Sequence, residues 1–97
     1  KDEKGSKEMI DIKLWGKIIS ELDDVTNNFT IRLSEQFPLL KKDDIHFCCL
    51  LKMGFKYSDI ACLCDRTINM MYKRRDLVIE RIELDTSSSL EAFIKAY

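Results

Sequence analysis

The sequence predicts an all-α fold in one small domain, and three observations carry that prediction. Apolar residues recur at steps of three and four along most of the chain, the period of a helix with one buried side. Only one proline and three glycines interrupt 97 residues, a composition that supports few long loops. Apolar residues make up 45% of the chain, enough for a single core if most elements pack together.

Residues 1–7 (KDEKGSK) are charged and carry no apolar anchor, so they read as a linker or a disordered start. The chain begins at Lys1 without a Met, the expectation for a piece of a longer protein. Ser6 is placed to cap a helix whose first turns hold Glu8 and Asp11, where the helix dipole favours negative charge. Met9, Ile12, Trp15, Ile19 and Leu22 then form one stripe, widened by Ile18. Asp24, Thr26, Asn27 and Asn28 favour caps and turns and predict a break. A second helix over about residues 26–36 follows, with Phe29, Leu33 and Phe37 inward, and Pro38 ends it by pushing the preceding residue out of helical geometry. Residues 8–38 thus form a helical extension whose stripe either covers the rest of the domain or meets another subunit. A single Trp on such a stripe is more often core than binding hot spot.

The segment from Asp43 to Leu84 predicts three helices with two tight breaks. Asp43 and Asp44 cap the first, which turns Ile45, Cys48, Cys49, Leu51 and Met53 inward, and Gly54 stands where a left-handed residue is wanted. Ser58 is the expected cap of the second, with Asp59 in its first turn and Ile60, Ala61, Leu63 and Cys64 on its buried side. Asp65-Arg66-Thr67 is a short polar step, and Thr67 caps a third helix carrying Ile68, Met71, Val78, Ile79 and Ile82 inward. A short helix, a turn of three or four residues and a longer helix with Lys73, Arg74 and Arg75 mid-way is the layout of a helix-turn-helix.

The motif GF-x(2)-S-DIA, followed by Thr67 and then a helix containing Arg74 and Arg75, resembles the LuxR-type (GerE-like) DNA-binding domain. The likeness runs without a gap from about Leu40 to Leu84. Trp15, Ile18, Leu22, Val25, Phe29, Leu33, Phe37 and Pro38 resemble the stretch that precedes this domain in many Bacteroidetes regulators of the tetratricopeptide-repeat and hybrid two-component types. The resemblance implies a trihelical domain over 39–97, preceded by extra helices and closed by a short one. It also implies the output domain of a cytoplasmic transcriptional regulator, with double-stranded DNA as partner, a homodimer meeting two half-sites, and an upstream sensor or repeat domain.

By the same resemblance a helix over about 67–82 would enter the major groove. Asn69, Met70, Tyr72 and Lys73 fall at the groove-facing places, and Arg74 or Arg75 points toward phosphates. Thr67 adds a hydroxyl and a backbone amide at the helix start. Asn69 suits adenine, Lys73 guanine, and Met70 or Tyr72 a thymine methyl. Lys56, with Lys52, is expected on the same side. Such a patch would neutralise about four to six phosphates. Two places depart from the family: Tyr72 stands where a basic residue is common, and Asp65 where Gly is usual.

The overall charge of -1 excludes nucleic-acid binding through the net field and leaves only a local patch. With Tyr72 and the extra N-terminal helices, it motivates an alternative: an interaction or dimerisation module of this fold that does not bind DNA. Enzymatic chemistry has little to stand on, with one His and no Gly-rich phosphate loop. His46 reads as structural. The cysteines at 48, 49, 62 and 64 lie on predicted core helices and read as reduced thiols packed as small apolar residues, although a bridge between the two helices is geometrically conceivable. Their spacing with His46 lacks the pattern of a metal site, and no cofactor is expected. No run of eighteen apolar residues suggests a membrane span.

After the third helix, Asp85 to Ser89 is a polar linker in which Ser88 and Glu91 make a capping box. Leu90, Phe93, Ile94 and Tyr97 form the apolar face of a closing helix too short to stand alone, which must dock on the domain or on a partner chain. In the family the corresponding helix pairs the subunits.

Overall fold

The computed structural model describes residues 11–85 and 88–97, and its described residues form helices and no strands. The helices are α1 (Ile12–Val25), α2 (Phe29–Gln36), α3 (Lys42–Lys52), α4 (Tyr57–Leu63), α5 (Ile68–Ile82) and α6 (Leu90–Ala96). The expected contributions of Ser6, Glu8 and Met9 lie outside the described residues. Asp11 caps α1 by accepting from the Leu14 amide at 2.8 Å.

One cluster of buried side chains joins every helix. Trp15 and Leu22 of α1, Phe29 and Leu33 of α2, Phe47 to Leu51 of α3, Ile60 of α4, Met71, Val78 and Ile82 of α5, and Leu90 and Ile94 of α6 all belong to it. The N-terminal stripe therefore covers the same core as the later helices, and Trp15 is a core residue. Each large side chain buried this way contributes about 2 kcal/mol by removal from water. Four expected core positions prove exposed: Ile12 (80%), Met53 (46%), Ile68 (40%) and Cys62. Ile12 and Ile68 open their helices and Met53 follows the end of α3, so the apolar periodicity continues past what the neighbouring helices cover. Phe47 and Leu50 take the buried places on α3 instead.

The predicted break between α1 and α2 is present, and the turn is held from outside itself. Asn27 and Asn28 are left-handed, with φ of 58° and 61°. Asp23 reaches forward to accept from the Thr30 amide at 2.9 Å and from its hydroxyl, doing the capping that Asn28 does not. Arg32 donates to the carbonyls of Thr26 at 2.9 Å, Asn27 at 2.7 Å and Tyr97 at 3.0 Å, and its guanidinium lies over the Tyr97 ring. One arginine thus ties the turn to the C-terminal residue.

Both helices expected to start on an acidic or hydroxyl cap start on lysine. Lys41 and Lys56 are the N-caps of α3 and α4, and their amides donate to the carboxylates three residues on, Asp44 at 2.9 Å and Asp59 at 3.3 Å. A lysine side chain has no acceptor, so each is half a capping box. Ser58 lies inside α4 and does not cap it. Gly54 adopts φ +97° after α3, as the left-handed position requires. Asp65 likewise has φ 55°, and Asp is among the residues that tolerate this region. Ser89, not Ser88, caps α6, accepting from the Ala92 amide at 3.3 Å.

The closing helix docks on its own chain. Leu90 and Ile94 are fully buried, and Phe93 and Tyr97 meet Phe37 edge to face or tilted. Lys52 donates to the Lys95 carbonyl at 2.8 Å, and the Tyr97 hydroxyl bonds Gln36. What α6 leaves exposed is Ala92, Lys95 and Ala96, so its apolar face is already used.

Candidate nucleic-acid interface

α4 and α5 pack together across a short break in which Cys64 closes α4 and Thr67 opens α5. The Thr67 hydroxyl accepts from the Met70 amide at 3.2 Å, so the predicted cap is made. At 100° per residue α5 divides into four faces. Met71, Val78 and Ile82 point into the core. Asn69, Lys73, Asp76 and Glu80 share the opposite, exposed face. Arg74 and Arg81 lie on one flank, toward α3; Tyr72 lies on the other, toward α4, with Arg75 and Ile79 on the same side further along, toward the start of α6.

The flank toward α3 centres on Asp44, the one fully buried carboxylate among the described residues. It accepts from the Lys41 amide at 2.9 Å, from Arg74 at 2.9 Å and from Arg81. Burial alone would raise its pKa, but the Lys41 amide and the two guanidinium groups outweigh that and hold it below the ordinary 3.8. Arg74 also approaches Asp43 at 3.9 Å. Arg74, expected at the phosphates, is therefore engaged in fastening α5 to α3.

On the other flank the Tyr72 ring meets Tyr57 edge to face at 5.5 Å, and Tyr57 stacks flat on Phe47 at 5.8 Å. Arg75 lies over the Tyr72 ring at 5.2 Å and pairs with Asp76 at 3.0 Å. Tyr72 therefore serves partly as a prop between α4 and α5, a use of the position that a basic residue would not supply. The same contact places the start of α4, and exposed Lys56 with it, on the Tyr72 side of α5.

Asn69, Met70 and Lys73 are exposed at the start of α5, as is Arg66 in the turn before it. Among the described residues neither Lys73 nor Arg66 is ion-paired to a carboxylate. Arg66 was not singled out from the sequence, where it was only one charge in a basic run. Lys52, expected beside Lys56, instead reaches α6 and lies over the Phe29 ring. The structure leaves Arg66, Thr67, Asn69, Met70, Tyr72 and Lys73 exposed over the turn before α5 and its first two turns, with Lys56 exposed at the far end of α4. It sets Arg74 and Arg81 aside, and it puts Asp76 and Glu80 on the outer face further along.

Burial pushes the Cys49 thiol up to about 12 and raises Cys48 further, so neither supplies a thiolate at neutral pH. Cys62, expected in the core, is exposed. His46 stacks on Trp15 with ring centroids 3.9 Å apart. Among the described residues no three His, Cys, Asp or Glu side chains come together to hold a metal, and no helix is long and apolar enough to cross a membrane.

No family model, curated protein or solved structure matches this chain.

Proposed function

We propose that this chain is a DNA-binding output domain of a transcriptional regulator, presenting the first two turns of α5 to the major groove. The observation that carries this reading is the division of charge along the outer face of α5. Asn69 and Lys73 face outward near its start, with Arg66 exposed in the turn before it, whereas the acids Asp76 and Glu80 lie beyond. Helix-turn-helix proteins read base edges with the N-terminal residues of the second helix, so the acids would fall past the contacted turns. Asn69 and Lys73 are the readers, Met70 and Tyr72 supply apolar contact, and Lys56, Arg66 and the Thr67 amide take phosphates. Arg75 has its guanidinium shared between Tyr72 and Asp76 and adds a weaker phosphate contact. The regulator reading also supplies a cytoplasmic setting, an upstream sensor or repeat domain, and pairing of two copies on two half-sites.

Charge reversal at Lys73 tests this proposal better than reversal at Arg74, because Arg74 is bound to buried Asp44. Lys73→Glu should keep the helical circular dichroism and the unfolding midpoint, and should weaken binding to random duplex DNA by about tenfold or more. Unchanged DNA affinity in a folded Lys73→Glu variant would contradict the proposed face.

A second reading keeps the fold and replaces DNA with a protein partner. Exposed Leu77 flanking the acids Asp76 and Glu80 favours it, since an apolar residue at the edge of an acidic face suits a basic protein surface better than a phosphate backbone. Under that reading Lys73→Glu leaves partner binding intact and Leu77→Ala weakens it.

A further inference from the structure

Behind the α4–α5 turn lies a cavity of about 160 Å³, set where α1, α3, α4 and α5 converge. Cavities of about 150 Å³ take up a guest the size of one aromatic ring. Leu50, Ile60 and Met71 give the cavity an apolar floor. Trp15 and His46 line it as a stacked pair, their rings 3.9 Å apart and 10° from parallel.

The rim is charged and unevenly so. Arg66 and Arg74 line the cavity with one carboxylate, Asp43. Arg74 is already held by Asp44 at 2.9 Å and approaches Asp43 at 3.9 Å. Arg66 is exposed, its one printed hydrogen bond is a long 3.5 Å contact to the Asp65 carbonyl, and among the described residues it is ion-paired to no carboxylate. A pocket of one-ring size with an apolar floor, a charged rim and one guanidinium that is ion-paired to no carboxylate among the described residues matches one class of ligand, because a guanidinium binds carboxylates through paired donors.

We propose that this cavity binds a small aromatic carboxylate, its ring on the apolar floor and its anionic group on Arg66. The site shares Arg66 with the proposed phosphate contacts, and its occupation can be measured without DNA. Trp15 is the only tryptophan of the chain and lines the cavity, so it reports directly.

The test is a titration of the intact chain with benzoate, following Trp15 fluorescence and the thermal unfolding midpoint. A saturable fluorescence change with a rising midpoint is expected, since a ligand that binds only the folded chain stabilises it. Arg66→Gln, an exposed substitution, should weaken benzoate by about tenfold, and uncharged benzyl alcohol should bind wild type about tenfold more weakly than benzoate does. No saturable response by about 10 mM, the weakest affinity expected of a ligand this small, overturns the proposal. Equal binding of benzyl alcohol, or an unchanged affinity in Arg66→Gln, overturns the carboxylate assignment.

Discussion

Asp44 joins parts of the chain 30 and 37 residues apart, and it decides which basic side chains α5 can present. Asp44→Asn should cost about 3 kcal/mol, read as a lower urea midpoint, because two guanidinium groups lose the charge they were placed against. The carboxyl is held below its ordinary value of 3.8, so its contribution is complete above the unfolded pKa and is lost as pH falls below that toward the folded one. The unfolding midpoint of wild type should therefore drop as pH falls below about 4, and that drop should be shallower in Asp44→Asn. Tyr57 offers an opposite case. Among the described residues its buried hydroxyl has no hydrogen-bond partner, while its ring stacks on Phe47 and meets Tyr72 edge to face. Tyr57→Phe should keep the stacking and raise stability by about 1 kcal/mol; a loss in thermal unfolding would show that the hydroxyl is satisfied. At this scale local features were legible: the Thr67 cap and the left-handed Gly54 depend on neighbours within a few residues. The Asp44 pairs were not, because a basic run reads the same whether its members face solvent or a buried acid.

Helix by helix, periodicity and breakers placed α1 to α6 in order, but the first turns of α3, α4 and α6 were misassigned. Short hydroxyl side chains suggested Ser58 and Ser88 as caps, whereas Lys56 and Ser89 hold those places. The sequence pattern Lys-x-x-Asp at 41–44 and 56–59 contains the signal that was missed: the acid at the third helical position caps the backbone, whatever side chain precedes it. The docking of α6 could not be chosen from sequence, since an apolar stripe suits its own domain or another chain equally. Its burial against α3 makes it part of this core. Ile94→Ala should cost about 3 kcal/mol in a denaturant titration, as for other fully buried large-to-small changes. An effect below about 0.5 kcal/mol, the range of surface substitutions, would mean that α6 is not docked in solution.

Taken whole, the molecule has a net charge of -1, so any attraction to a duplex must come from the cluster around the start of α5. The patch expected from sequence was larger, because Arg74 and Lys52 counted toward it. With Arg74 and Arg81 held by Asp44 and Lys52 turned to α6, the cations left are Lys56, Arg66 and Lys73, with Arg75 half engaged. The exposed surface therefore supports fewer phosphate contacts than the basic composition of α5 suggests, about three to four. The most direct measurement is fluorescence anisotropy of the intact chain with random duplex DNA, titrated at several salt concentrations. The predicted result is weak binding, micromolar or poorer, whose log affinity falls with log salt at a slope of about −3. A folded sample that fails to bind at about 50 mM salt would contradict the DNA-binding assignment and leave the protein-partner reading in its place.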